Sequence, residues 1–117
     1  MSIPVSNIRN VLIGLQHPAL GTAESHYTAS PVSGFIKRIT MTVDVATNDI
    51  PVVATTIAGT AITGGSKTFG NADAVGTVYV LEPTAANYVR KGQGLSVSSD
   101  GAGSAGVANV IFMVEQD

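Results

Sequence analysis

The chain predicts an all-β domain, a β-sandwich, and three observations carry that expectation. The first is Phe35 to Val45. Phe35, Ile39, Met41, Val43 and Val45 fall on one parity, broken only by Lys37, while Arg38, Thr40, Thr42 and Asp44 fall on the other, broken only by Ile36. A period of two puts an apolar set on one face of a strand and a polar set on the other. The second is a succession of β-branched runs separated by Gly, Pro, Asn and Asp clusters every 8–12 residues or so, giving seven or eight strands. The third is size: 117 residues make one domain, large enough to bury a core without metal or disulfide support. A strand with one apolar face needs a second layer over it, hence a sandwich.

Taken in order, residues 1–23 are the least regular and are expected to form an N-terminal arm, with the sandwich over 24–117. Ile8, Val11, Leu12 and Leu15 have helical spacing, but Gly14 and the β-branched residues make a strand an equal alternative. His17 to Gly21 reads as a loop around Pro18. Glu24 to Ser30 is a short first strand, and Pro31 to Gly34 turns into the strong strand, which ends at Asn48-Asp49. Pro51 to Ile57 follows as a second β-branched run, broken by Gly59. Gly64-Gly65 suits a hairpin or bulge, and Gly64 to Thr68 is expected to be a hairpin tip. Val75 to Glu82 has apolar residues on both parities and predicts a strand buried on both sides, as in a central or interface strand. Pro83 to Asn87 predicts one helical turn. Leu95 to Ser98 is a strand, Asp100 to Gly106 a glycine-rich loop, and Val107 to Glu115 a central strand.

Composition narrows the function. Only 12% of residues are charged, about half the usual share. Such a surface is poorly defended against association, and charge is depleted where partners cover a protein. A net charge of −2 and two isolated basic pairs, Lys37-Arg38 and Arg90-Lys91, do not form the stripe that nucleic acid requires. No apolar run is long enough to span a membrane, and Met1 to Pro4 lacks the start of a signal peptide. Cysteine is absent.

Catalytic chemistry finds no foothold. His17 and His26 lack an evident acidic partner, and no metal or other cofactor is expected. Gly94-Leu95-Ser96-Val97-Ser98 ends in Ser where a nucleophile elbow needs Gly. Gly64-Gly65-Ser66-Lys67-Thr68 lacks the spacing of a phosphate loop. The carboxylates are scattered singly, and no enzyme is expected. Phe35, Tyr79 and Phe112 are expected in the core, leaving Tyr27, Phe69 and Tyr88 as candidates for a surface role.

Three segments resemble a known group. Tyr27-Thr28-Ala29-Ser30-Pro31-Val32-Ser33-Gly34-Phe35-Ile36-Lys37-Arg38-Ile39 resembles a P-x-x-G-x-I-x-[KR]-[IV] opening of small jelly-roll virion proteins of tailed phages. Ile57-Ala58-Gly59-Thr60-Ala61-Ile62-Thr63-Gly64-Gly65 is similar to their I-x-G-T-x-[VI]-T-G-G hairpin, and Pro83 to Gly92 to their P-T-A-A-N-x-V-x-x-G turn. The resemblance covers roughly residues 24–115 and departs at Gln93, where the family often has Asp. It implies a jelly roll and a non-enzymatic capsid decoration (cement) or head-fibre-base protein. Such a protein is made in the host cytoplasm and sits on the outer capsid surface of the virion. The implied partners are the major capsid protein and the chain itself, as a homo-oligomer with a trimer favoured over a dimer. A carbohydrate-binding or adhesin module is the alternative. Ile3, Val5, Ile8, Val11, Leu12 and Leu15 of the arm are the expected contacts to capsid or neighbouring protomer, and an extra strand of the sandwich is the competing reading of that segment.

Overall fold

A computed structural model describes residues 9–103 and 105–117. It holds ten strands and, among the described residues, no helix: β1 Arg9–His17, β2 Ser25–Ala29, β3 Gly34–Asn48, β4 Val52–Ile57, β5 Thr60–Ala61, β6 Lys67–Thr68, β7 Val78–Leu81, β8 Tyr88–Val89, β9 Gly94–Ser99 and β10 Ala105–Gln116. The strands form two antiparallel sheets. The first runs β1-β10-β3-β7, with β8 also on β3; the second runs β2-β9-β4-β5, with β6 also on β4. β5 and β6 lie on the same edge of β4, and β7 and β8 on the same edge of β3, so each pair occupies one strand position. The architecture is a β-sandwich of two four-position sheets.

The inner faces meet in one core. Ile36, Ile39, Met41 and Val43 of β3 and Val110, Phe112 and Val114 of β10 come from the first sheet. Val53 and Ile57 of β4 and Leu95 and Val97 of β9 come from the second, with Leu20, Ile62 and Phe69 contributed by the connections between strands. Among the described residues no buried side-chain nitrogen or oxygen lacks a hydrogen-bond partner.

β3 shows how the strand pattern was misleading in detail. Register shifts against β10 make Lys37 and Asp44 extra residues: Arg38 pairs with Met113 and Ile36 with Val114, while Val45 pairs with Val107 and Val43 with Ala108. Each bulge swaps the parity of what lies beyond it. Ile36, the apparent exception, is therefore in the core, whereas Phe35 and Val45 point outward. Phe69, expected at the surface, is fully buried.

Three other expectations are corrected. Val78 to Leu81 is an edge strand with Val78 and Val80 exposed, because among the described residues no strand pairs with its other side. Pro83 to Asn87 is not a helical turn: Thr63 and Ala85 bridge, Thr84 N–H donates to the Thr63 carbonyl, and Asn87 ties its segment to Ile36. The hairpin tip is Ala58-Gly59, with φ of 48° and 85°, as a tight β4–β5 reversal requires. Gly64-Gly65 instead lies in the bulged stretch between β5 and β6, where the Thr55 hydroxyl donates to the Gly65 carbonyl.

Residues 9–17, within the segment expected to be an arm, pair along their whole length with β10. Ile13 enters the core, and Val11 and Leu15 pack against it.

Candidate functional site

The chemistry-bearing side chains gather most closely where β1 ends and β2 begins. His17 closes β1 facing inward, and His26 is the second residue of β2. The seven-residue link between those strands brings Glu24 to both. Side-chain ligand atoms of His17, Glu24 and His26 lie within 4.8 Å of one another, and the imidazoles meet edge to face at 4.9 Å. Sequence spacing could not reveal Glu24 as the shared neighbour, since only the sandwich closure sets β1 beside β2.

The hydrogen bonds determine what this cluster can do. His17 is fully buried, and its Nδ1 accepts the Ala19 N–H at 3.3 Å, which makes Nε2 the protonated nitrogen. Nε2–H donates to the Glu24 carbonyl at 3.0 Å. Both ring nitrogens are thus committed, and a cation would have to displace one bond to bind there. Glu24 Oε1 and His26 Nε2 pair with each other at 2.9 Å. Two free ligands fall short of the three protein ligands a catalytic zinc keeps. The cluster braces the β1–β2 link.

A second network lies at the same end of the sandwich. The Asp73 carboxylate accepts from the Tyr79 hydroxyl and from Gly70 N–H, Asp73 N–H donates to Thr47 Oγ1, and the Thr47 hydroxyl donates to the Gly70 carbonyl. The hydrogen bond to anionic Asp73 holds the Tyr79 phenol above its ordinary pKa. Lys67 Nζ sits 4.8 Å from the Tyr79 ring centre. The network pins the 69–77 connection to β3, and Tyr79 is half-buried beside Phe69. Asp100 serves another loop: Oδ1 accepts from Val52 N–H and Ala102 N–H, each at 3.0 Å, which lowers its pKa. A shallow hollow of about 290 Å3 is lined by Pro18, Thr22 and Val107 among others, and carries no ionisable group.

The two outer faces are the larger surfaces, and they differ in kind. On the first sheet, cross-strand pairs place Leu12 beside Met113 and Arg38, Ile111 beside Thr40 and Val80, and Asn109 beside Thr42 and Val78. Leu12, Phe35, Val45, Val78, Val80 and Ile111 are all exposed there. On the second sheet, Tyr27 stands 70% exposed in a row with Ser96, Thr56 and Ala61, next to Ser25, Ser98 and Ala54. None of β2, β4 and β9 contains an Asp, Glu, Lys or Arg.

Of the arm residues expected to make contacts, Leu12 alone of the described three is turned outward, at 65% exposure; Val11 and Leu15 face the core. Ile3, Val5 and Ile8 lie outside the described residues.

No family model matches the chain, and no curated protein matches it. Among solved structures it is similar to the crystal structure of dimeric latent PorU from Porphyromonas gingivalis. The identity is 10% and the TM-score 0.53, over 95% of this chain and 13% of that one. The chain thus spans a small part of the PorU chain, and the likeness is one of fold. The crystal structure of PirA is matched at 10% identity and TM-score 0.36, over 96% of this chain and 98% of that one.

Proposed function

We propose that this chain is a non-enzymatic virion structural protein that binds the outer surface of a tailed-phage capsid and stabilises the head. The observation that carries this reading is the apolar outer face of the first sheet. Most of the exposed large hydrophobic side chains among the described residues lie on it, and a face of that composition is suited to being covered by protein. In mechanism, a homo-oligomer straddles capsid subunits and adds buried area between neighbours, opposing the outward pressure of packaged nucleic acid. The partners are the major capsid protein and further copies of this chain.

The strand connectivity supports the jelly-roll part of the reading. With β5/β6 and β7/β8 each counted once, the eight strands lie in the orders 1-8-3-6 and 2-7-4-5 and change sheet at every connection except 4–5, an order consistent with a jelly roll. Two of the three resembling segments are turns that the fold uses. Ala58-Gly59 is the β4–β5 reversal, and Pro83 to Gly92 carries the bridge to Thr63 and the β8 contact to β3.

A second reading, a carbohydrate-binding or adhesin module, is favoured by Tyr27. An exposed phenol ring on strands that carry small hydroxyl residues and no Asp, Glu, Lys or Arg is a surface on which a sugar ring could stack.

Co-sedimentation with undecorated tailed-phage capsids tests the first reading. Saturable binding at a fixed ratio to capsid subunits is the expected result. Absence of capsid binding, with Tyr27-dependent signals on a glycan array, would replace it with the second.

A further inference from the structure

The formal charges of this chain are sorted along the strand axis. At the end where β1 and β3 begin and β10 finishes lie Arg9, Lys37 and Arg38, joined by Arg90 and Lys91 of the β8–β9 connection, which is tied to Ser30 and Ser33. Glu115 and Asp117 are the only anions there, leaving a net +3. At the opposite end lie Glu24, Asp44, Asp49, Asp73 and Asp100, against the single cation Lys67, a net −4. Glu82, the remaining charge, follows β7.

Between the two ends, the outer face of the first sheet is an uncharged band. Its cross-strand rows are Gly14–Ile111–Thr40–Val80 and Gln16–Asn109–Thr42–Val78. Arg38 and Asp44 flank that band on β3, each three residues from Met41, or about 10 Å along the strand. Among the described residues neither belongs to an ion pair.

We propose that two copies of this chain pair through the outer face of the first sheet, related by a two-fold axis that lies in the interface across the strands. That operation reverses strand direction and lays each copy's β3 over its partner's. The uncharged bands then cover one another, and Arg38 of each copy comes over Asp44 of the other. The charge pattern selects this arrangement: a parallel stacking would set basic end on basic end. The area is sufficient and modest. Four strand positions about 4.8 Å apart and roughly 30 Å long offer about 600 Å2 per copy, some 1,200 Å2 for the pair, at the lower bound of specific interfaces. The dimer is therefore a concentration-dependent one. This inference rests on the self-association in the proposed function alone, and a capsid plays no part in it. It leaves the Tyr27 face of both copies open.

Sedimentation equilibrium of the full chain, without capsids, tests it. The parent should approach twice 11.9 kDa as concentration rises. Val80→Lys should raise the dissociation constant at least tenfold while melting like the parent at concentrations where both are monomers, and Tyr27→Ala on the other sheet should leave the constant unchanged. Arg38→Asp and Asp44→Arg should each weaken pairing, and the double exchange should restore it. A parent that stays monomeric throughout overturns the proposal, as does a dimer indifferent to Val80→Lys. Failure of the double exchange to restore pairing overturns the antiparallel geometry. A monomer that binds capsids only while Val80 is intact would assign this face to the capsid instead, refuting this inference and the self-association while leaving capsid binding standing.

Discussion

Single residues carry several of the constraints on this sandwich. A Cβ built on Gly34 would come 2.1 Å from the Glu115 carbonyl oxygen, where β3 pairs with the end of β10. That oxygen belongs to backbone held in the sheet and cannot swing away. Gly34→Ala should therefore cost about 3 kcal/mol or more, near the upper range for overpacking. Gly14, on the outer face of β1, has open space around its Cβ position, so Gly14→Ala should stay within about 0.5 kcal/mol. Denaturant midpoints of the two variants make the comparison. Asp100 adds a pH dependence. Backbone N–H donors of Val52 and Ala102 stabilise its ionised form, and its folded pKa lies below the ordinary 3.8. The resulting stabilisation is present above that value and is lost as pH falls through the folded pKa. Asp100→Asn should melt at a lower temperature than the parent at neutral pH, and the difference should shrink as the solution is taken below pH 3.8. A difference independent of pH would remove the carboxylate from this role.

At the level of elements, β1 gives the most direct test of what is strand and what is surface. Ile13 is in the core and Leu12 is 65% exposed, one residue apart on a strand paired throughout. Ile13→Ala should cost about 2–4 kcal/mol and Leu12→Ala less than about 0.5 kcal/mol in thermal or chemical unfolding. Similar costs for both would mean that β1 is not held in this register. The same strand shows where the sequence could and could not be read. Its apolar residues suit a helix or a strand alike, and what decides is the availability of β10, nearly a hundred residues away. β10 itself was legible, because its apolar run fits a strand with neighbours on both sides. β7 looked the same in sequence yet lies at an edge, since apolar composition alone does not distinguish an edge strand from a central one. The β3 bulge at Lys37 was visible only as two exceptions, Ile36 and Lys37, and the one at Asp44 left no mark, because Val45 keeps the alternation in sequence while pointing outward. The His17–Glu24–His26 cluster was not legible at all: its geometry comes from the crossing between sheets, whereas a local motif would have shown in spacing.

Over the whole molecule, one outer face is apolar, the other is small and hydroxylated, and the two ends carry opposite charge. These asymmetries favour ordered association over a random surface encounter. Because dimerisation of folded chains stabilises the native state by mass action, the melting temperature of the parent should rise with protein concentration above the dissociation constant. That of Val80→Lys should stay flat over the same range. Differential scanning calorimetry across a hundredfold concentration series makes this comparison, and parallel behaviour of the two proteins would count against the pairing.

The position of β10 has a further consequence, in the order of events by which the chain acquires its shape. β1 and β3 do not touch as neighbours; β10 lies between them and pairs with both. During synthesis the first sheet therefore lacks its middle until residues 105–116 have left the ribosome. β3 then has only its short partners on one side, and β1 has none. The second sheet likewise waits for β9 between β2 and β4. A chain wired this way has high contact order and should fold in milliseconds to seconds once complete, slowly for its size. Until then its longest strand presents a free edge, and a polysome crowded with nascent copies is where mispairing between chains would begin.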